Sequence, residues 1–314
     1  MDPQTTSDVS PAENQDETDL KPIDFPESLQ HIVRENEPLA PMLWVGIGGP
    51  ARYLAEPVDW NQVIELVTFA RGNGLAVRVL GEGSNVLVRE AGFDGLVISL
   101  ASAATSSLEI VGDRLIAGAG ARLTHAVIKT AGEGLGGLEH LVGLPGSIGG
   151  AIVGNISAEG RDIGSTVHSI DALDENGQEI TLSGEEAGFG HRSSTLVGLV
   201  VLRVTCQLEP KDARALTKRM QKLWIHRNNQ RPTSTSRLAM PFVDPDTISA
   251  TELIQQTGLA GIREGDVSLD STRPNYLLLH DGATSEQCVT LIQRVREQVA
   301  MQSGIDLQLN LRIW

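Results

Sequence analysis

The sequence predicts an α+β protein. Three observations predict it: apolar residues alternate with period two over short runs, they recur with helical spacing over longer runs, and glycine-rich turns separate the two kinds of run along the chain. The longest helical segment, Thr284–Gln302, places Val289, Ile292, Val295 and Val299 on one face.

The elements follow in order. The first 24 residues are acidic, contain Ser, Thr and Pro, and are nearly free of large apolar side chains. Such a segment cannot bury enough surface to offset the entropy of ordering it, so a disordered tail is expected over residues 1–25. Ala51–Glu56 reads as a short strand. Asp59 caps a helix, with Gln62 as capping-box partner, Val63, Ile64, Val67 and Ala70 as its apolar face, and Gly72 and Gly74 as its stop. Strands are expected at Ala76–Leu80 and Val86–Val88 around a turn at Gly81–Asn85, then at Leu96–Leu100, Leu108–Val111 and Leu115–Gly118. A helix follows at about Thr124–Glu133, and a glycine-rich stretch runs from Gly143 to Gly160. Val167–Asp174 and Glu179–Leu182 make a hairpin, because Asn176-Gly177 between them is the strongest tight-turn dipeptide. Val197–Gln207 is a strongly apolar strand, and Lys211–Asn228 reads as a helix leading into a C-terminal part. There Ser249–Thr257 is a helix stopped by Gly258, Tyr276–Leu279 is a strand and Leu307–Ile313 a closing strand. No internal repeat is visible, and a boundary is expected near residues 209–226.

Composition narrows the function. The chain has 314 residues and a formal net charge of −15, a field that repels phosphate backbones and disfavours nucleic acid as a partner. An anionic ligand must therefore be captured locally, by backbone N–H groups or a few arginines. No apolar run approaches the roughly 18–20 residues of a membrane span, and the N-terminus lacks the basic-then-apolar pattern of a secretory signal, so a cytoplasmic protein is expected. Cys206 and Cys288 stand far apart with no CxxC and no cysteine–histidine cluster, which predicts two buried thiols and no metal site. The sequence singles out no protein partner.

Three glycine clusters carry the functional signal. They are Ile47-Gly48-Gly49-Pro50-Ala51, Leu80-Gly81-Glu82-Gly83-Ser84-Asn85-Val86-Leu87-Val88, and Leu144-Pro145-Gly146-Ser147-Ile148-Gly149-Gly150-Ala151 followed by Asn155. Successive N–H groups in such turns can converge into an anion-binding concavity. The second cluster sets its turn between two apolar strands and adds Ser84 and Asn85 as side-chain donors, which suits the pyrophosphate of a dinucleotide. Each cluster alone reads as an ordinary turn; three in order, each beside strands, point to a ligand. No GxxxxGK[ST] is present, and no GxGxxG opens a helix after a strand, so neither a P-loop nor a Rossmann site is expected.

With these residues in place, the chain resembles the UDP-N-acetylenolpyruvoylglucosamine reductase family. The resemblance rests on IGGPARYLAEP (47–57), LGEGSNVLV (80–88), GLGGLEHLVGLPGSIGGAIVGN (134–155) and FGHRSS (189–194), and runs from about Pro41 to Trp314. It implies a two-part FAD-binding module of the vanillyl-alcohol-oxidase type followed by a smaller α/β substrate-binding domain, in the family's shorter type. The expected division is 26–102 and 103–208 for the two FAD-binding subdomains and 209–314 for the substrate domain. It further implies FAD as cofactor, NADPH as reductant and a UDP-sugar enolpyruvate as substrate in peptidoglycan precursor synthesis. The cofactor-binding residues implied are Gly48, Gly49, Gly81, Gly83, Ser84, Asn85, Val86, Pro145, Gly146, Ser147, Gly149, Gly150 and Asn155.

The chemistry half departs from the family pattern. Arg192 matches the arginine of the family's YRxS motif, a carboxylate clamp, while His191 replaces the tyrosine, as a ligand contact or as a replacement filling its space. The family's SAG[SC]xFxxP turn reads Arg237-Leu238-Ala239-Met240-Pro241-Phe242-Val243-Asp244-Pro245, so Met240 stands at the Ser/Cys proton donor and has no labile proton. Asn310 stands at the glutamate of the closing strand. Gly46 replaces a basic residue, Arg273-Pro274-Asn275-Tyr276 replaces HANF, and Asn155-Ile156-Ser157-Ala158 replaces NAGA. Turnover on the family's substrate is therefore expected to be absent or much reduced. The alternatives are an active reductase with a substitute donor, such as Ser234 or Ser236, and a flavin oxidoreductase acting on another substrate through Arg192 and His191.

Overall fold

Alternation along two strands decides the layering. In Pro50–Ala55, Tyr53 and Ala55 enter one buried cluster and Leu54 the other; in Phe93–Ser99, Leu96 and Ile98 enter the first and Val97 the second. Successive side chains on a strand face opposite ways, so this sheet is buried on both faces and forms a middle layer. The computed structural model describes residues 23–102, 104–233, 237–245 and 247–314, so most of the expected acidic tail lies outside the described residues. The middle sheet has the order Val33–Pro38, Pro50–Ala55, Phe93–Ser99, Val77–Leu80; the first pair is antiparallel and the others parallel. Helix Trp60–Gly72 covers one face with Val63, Leu66, Val67 and Ala70, and starts where Asp59 accepts the Gln62 N–H at 2.9 Å.

The second sheet is antiparallel throughout, in the order Glu179–Ser183, Val167–Leu173, Val200–Gln207, Arg114–Gly118, Leu108–Val111. Its hairpin turn is held as the Asn-Gly pair predicts, with Asp174 Oδ1 accepting the N–H groups of Asn176 and Gln178 at 2.8 Å each. Its core is continuous with one side of the first sheet. Within the glycine-rich stretch the chain forms a short helix, Ile148–Val153, capped by Ser147.

Helix Ala213–Asn229 leads to a third sheet of short antiparallel strands, Arg237–Ala239, Leu277–Leu279, Val267–Leu269 and Arg263–Glu264. These strands and helices Ala250–Gln256 and Ser285–Ser303 share a core with the other face of the first sheet, through Leu54, Leu80, Leu87 and Val97. Glu90 joins the two parts: its carboxylate accepts the Ser285 N–H at 2.5 Å and the Glu286 N–H at 3.2 Å. Cys206 and Cys288 are free, buried thiols, and burial pushes them up to about 11 and about 12. Among the described residues no helix is long and apolar enough to cross a membrane.

The closing segment differs from the strand expected at Leu307–Ile313. Only Arg312–Ile313 is a strand, parallel to Val86–Leu87. The residues before it pair instead with the turn around Phe242: Val243 N–H donates to Gln308 O at 2.9 Å and Asn310 N–H to Pro241 O at 2.8 Å. The segment changes partner at Asn310, so neither ladder is long.

Candidate functional site

The second and third glycine clusters lie against each other. A Cβ added to Gly81 would fall 2.1 Å from Ser147 Oγ, so only glycine permits this approach. Glu82 stitches the two turns together, accepting the Gly146 N–H at 3.0 Å and pairing with Arg122 at 2.9 Å. Ser84 Oγ faces Gly146. Ser147 is the N-cap and accepts the Gly150 N–H at 3.3 Å, while Gly149 N–H donates to Ala119 O at 2.8 Å. Pro145 is half-buried between these contacts. Sequence reasoning missed Glu82 and Arg122, because only the fold brings residues 82, 122 and 146 together.

The first cluster supports the second from behind. Gly49 N–H donates to Arg89 O at 2.9 Å, and Gly48 lies against the main chain of Val88, in the segment that follows the Gly81–Asn85 turn. These contacts are with the chain itself. Asn155 behaves likewise. It is buried, its Oδ1 accepts the Gly164 N–H at 3.0 Å and its Nδ2 donates to Gly190 O at 2.7 Å, which anchors the loop carrying Arg192.

Arg192, Met240 and Asn310 converge on one turn. Asn310 Nδ2 donates to Met240 O at 3.0 Å, and the two residues sit beside Asn85 of the second cluster. Asn85 Nδ2 donates to Asn310 O at 2.6 Å, and Val86 begins the strand that Arg312 joins. Phe242 anchors the turn from below: it is 1% exposed, and both its main-chain groups bond the Asn275 amide, at 3.2 and 3.0 Å. The loop carrying Arg192 reaches the same turn through His191, whose Nε2 lies 3.2 Å from Asp244 O. Arg192 has φ 52°, and its Nη2 donates to Ser157 O at 2.8 Å. Burial lowers its pKa and Asp244 works against that. Met240 is 39% exposed. Ser234 and Ser236 lie outside the described residues.

The fold and these turns define a class: an FAD-binding module coupled to a reductase-type C-terminal domain. Residues 51–183 match the FAD binding domain family, and residues 231–314 match the C-terminal domain of UDP-N-acetylenolpyruvoylglucosamine reductase. A UDP-N-acetylenolpyruvoylglucosamine reductase of Rhodopirellula baltica is 69% identical over 308 residues, covering 98% of this chain and 100% of that protein. One from Gluconobacter oxydans is 36% identical, covering 92% and 94%. The crystal structure of the reductase from Thermus caldophilus superposes with a TM-score of 0.76 at 30% identity, covering 90% of this chain and 99% of that one. The chain belongs to the UDP-N-acetylenolpyruvoylglucosamine reductase family, and the two-part FAD-binding architecture of the vanillyl-alcohol-oxidase type is its fold.

The residues present fit FAD. The backbone N–H groups from Gly81 to Asn85 donate to no protein acceptor among the described residues, although the carbonyls of Gly83 and Asn85 are engaged by Trp44 and Arg312. A glycine turn with its carbonyls tied down and its N–H groups free presents donors to an anion.

Proposed function

We propose that this chain binds FAD through the second and third glycine turns, takes UDP-N-acetylglucosamine enolpyruvate as substrate with NADPH as reductant, and turns over at a rate that is absent or very low. Bound FAD would relay a hydride from NADPH to the enolpyruvyl double bond. The N–H groups of Gly81–Asn85, with Ser84 and the Pro145–Ser147 turn, would hold its pyrophosphate. Arg192 would clamp the substrate carboxylate, a role that suits a guanidinium already anchored on one side by the Ser157 carbonyl.

Reducing a carbon–carbon double bond takes a proton as well as a hydride. The observation that carries the low turnover is the pairing of Met240 with Asn310: a thioether has no proton to give, and an amide is not a general acid. Asp244, the carboxylate on this turn, has its Oδ1 occupied by the Ala250 N–H at 2.9 Å. Loss of a positioned acid typically costs about 10²–10⁴ in rate. A division at 26–102, 103–208 and 209–314 accords with the three sheets, and peptidoglycan precursor synthesis in the cytoplasm is the process this reading implies. A second reading, an active reductase with a substitute donor, is favoured by the full-length 69% identity to a protein of that name.

Incubating the purified protein with NADPH and UDP-N-acetylglucosamine enolpyruvate, and following UDP-N-acetylmuramate by mass spectrometry, separates the two. The proposal expects bound flavin with product at or below one-hundredth of the rate of a reductase with an intact donor pair. Comparable rates would overturn it in favour of the second reading.

A further inference from the structure

Asn310 does more than fill the position of a missing acid. Its side chain and main chain together make three contacts across the junction: Nδ2 to Met240 O at 3.0 Å, Nδ2 to Asn85 Oδ1 at 3.4 Å, and its own carbonyl to Asn85 Nδ2 at 2.6 Å. Asn85 is the last residue of the turn whose N–H groups are free. Its carbonyl is held by the Arg312 N–H at 3.0 Å, and Trp314 N–H and Arg89 N–H close the parallel ladder on either side of Leu87 and Trp314 at 2.9 and 3.0 Å. The end of the chain therefore grips the flavin turn by main chain and side chain at once.

A second contact works the same way on the first glycine cluster. Arg237 Nη1 donates to Gly46 O at 2.8 Å and Val45 O at 3.3 Å, just ahead of Ile47-Gly48-Gly49. Gly46 has φ +62°, and a Cβ there would lie 2.6 Å from that nitrogen, so a side chain at 46 would displace the Arg237 guanidinium from this position. The replaced residues thus meet in two pairs across the junction, Gly46 with Arg237 and Met240 with Asn310.

We propose that Asn310 is a positioning residue for the cofactor: with Asn85 it forms an amide clasp that fixes the free N–H groups of residues 81–85 in the geometry that receives a pyrophosphate, and Arg237 braces the neighbouring turn. The proposal rests on the FAD-binding reading above. It has a consequence for restoring the family's acid. A carboxylate at 310 has no N–H to give to Met240 O or Asn85 Oδ1 and would face both acceptors, so Asn310→Glu breaks the clasp.

The test is FAD affinity, measured by quenching of flavin fluorescence on titration into apoprotein, alongside thermal unfolding of the same samples. Asn310→Ala, Asn85→Ala, the double variant and Asn310→Glu are compared with the parent. Loss of the clasp is expected to weaken FAD binding about tenfold, the scale of one or two net hydrogen bonds. The double variant is expected to lose less than the sum of the two single ones, because the two side chains share the Nδ2–Oδ1 contact and hold one turn, although the bonds to Met240 O and to the Asn310 carbonyl each belong to one of them. Asn310→Asp keeps the shape and removes the donor, so it reads the clasp if the alanine variant fails to fold. Unchanged FAD affinity in Asn310→Asp and Asn310→Glu, or additive losses in the double variant, would overturn the clasp while leaving the FAD reading intact. A parent chain that takes up no FAD would overturn both.

Discussion

His140 should make this protein acid-labile, and the size of the effect follows from its surroundings. The residue is 0% exposed and sits three positions before Gly143, where the third glycine cluster begins. Among the described residues neither ring nitrogen has a hydrogen-bond partner. Burial, and after it the charge of Arg161, lowers its pKa from 6.5 to about 4; Glu139 acts in the opposite direction, and Arg219 and Arg227 add to the lowering. A base whose folded pKa is depressed stays neutral in the fold and takes a proton in the unfolded chain. Stability is therefore full above pH 6.5 and falls as the pH drops towards 4. Between pH 7.5 and pH 5 the linkage comes to about 2 kcal/mol, or roughly 3–6 °C in the unfolding midpoint. Glu139, held low against its own burial by the Gly137 N–H and by Arg161 and Arg219, contributes in the same direction in acid. The comparison that isolates His140 is His140→Leu, which removes the titrating group and leaves no buried polar nitrogen unpaired. Melting both proteins at pH 7.5 and pH 5 should show the parent losing about 2 kcal/mol more than the variant. Equal losses would refute the reasoning.

Three further outcomes are expected. Phe242→Ala empties a side-chain site that is 1% exposed and should destabilise the fold by about 3–5 kcal/mol, read from chemical denaturation. Met240→Ser, which leaves the Asn310 contact to the main-chain carbonyl in place, should raise product formation at least ~10-fold and up to the ~10²–10⁴ range of a general acid; no gain would mean that the donor position is not at Met240. Arg192→Lys replaces a fork by a point charge and should raise the KM for the enolpyruvyl substrate about 10-fold or more, with NADPH-driven bleaching of the flavin unchanged.

Local signals were legible because their chemistry is local. The Asp59–Gln62 cap, the Asn176-Gly177 turn and the helix that begins at Ser249 each depend on residues within four positions, and each appears where the sequence places it. The glycine clusters were legible as turns for the same reason. Strand Val33–Pro38 was not, since Arg34, Glu35 and Glu37 break any apolar alternation and only main-chain pairing to Pro50–Ala55 holds it. The helix at Ile148–Val153 hid among glycines, which are poor helix formers, and depends on the Ser147 cap and a buried face. At the site, Arg192, Met240 and Asn310 could be aligned by motif, and the fold brings them to one turn. What the sequence withheld is long-range: the Glu82 stitch to Gly146, the Asn85–Asn310 clasp, and the engagement of Asn155 with Gly164 and Gly190.

The most direct test compares the two half-reactions of the bound flavin in one anaerobic stopped-flow experiment. NADPH is mixed first and the bleaching rate recorded; the reduced protein is then mixed with UDP-N-acetylglucosamine enolpyruvate and the return of flavin absorbance followed. A retained hydride half and a missing acid predict prompt bleaching and a recovery slower by about 10² or more. Recovery as fast as bleaching would contradict the account and make Met240 and Asn310 compatible with full catalysis.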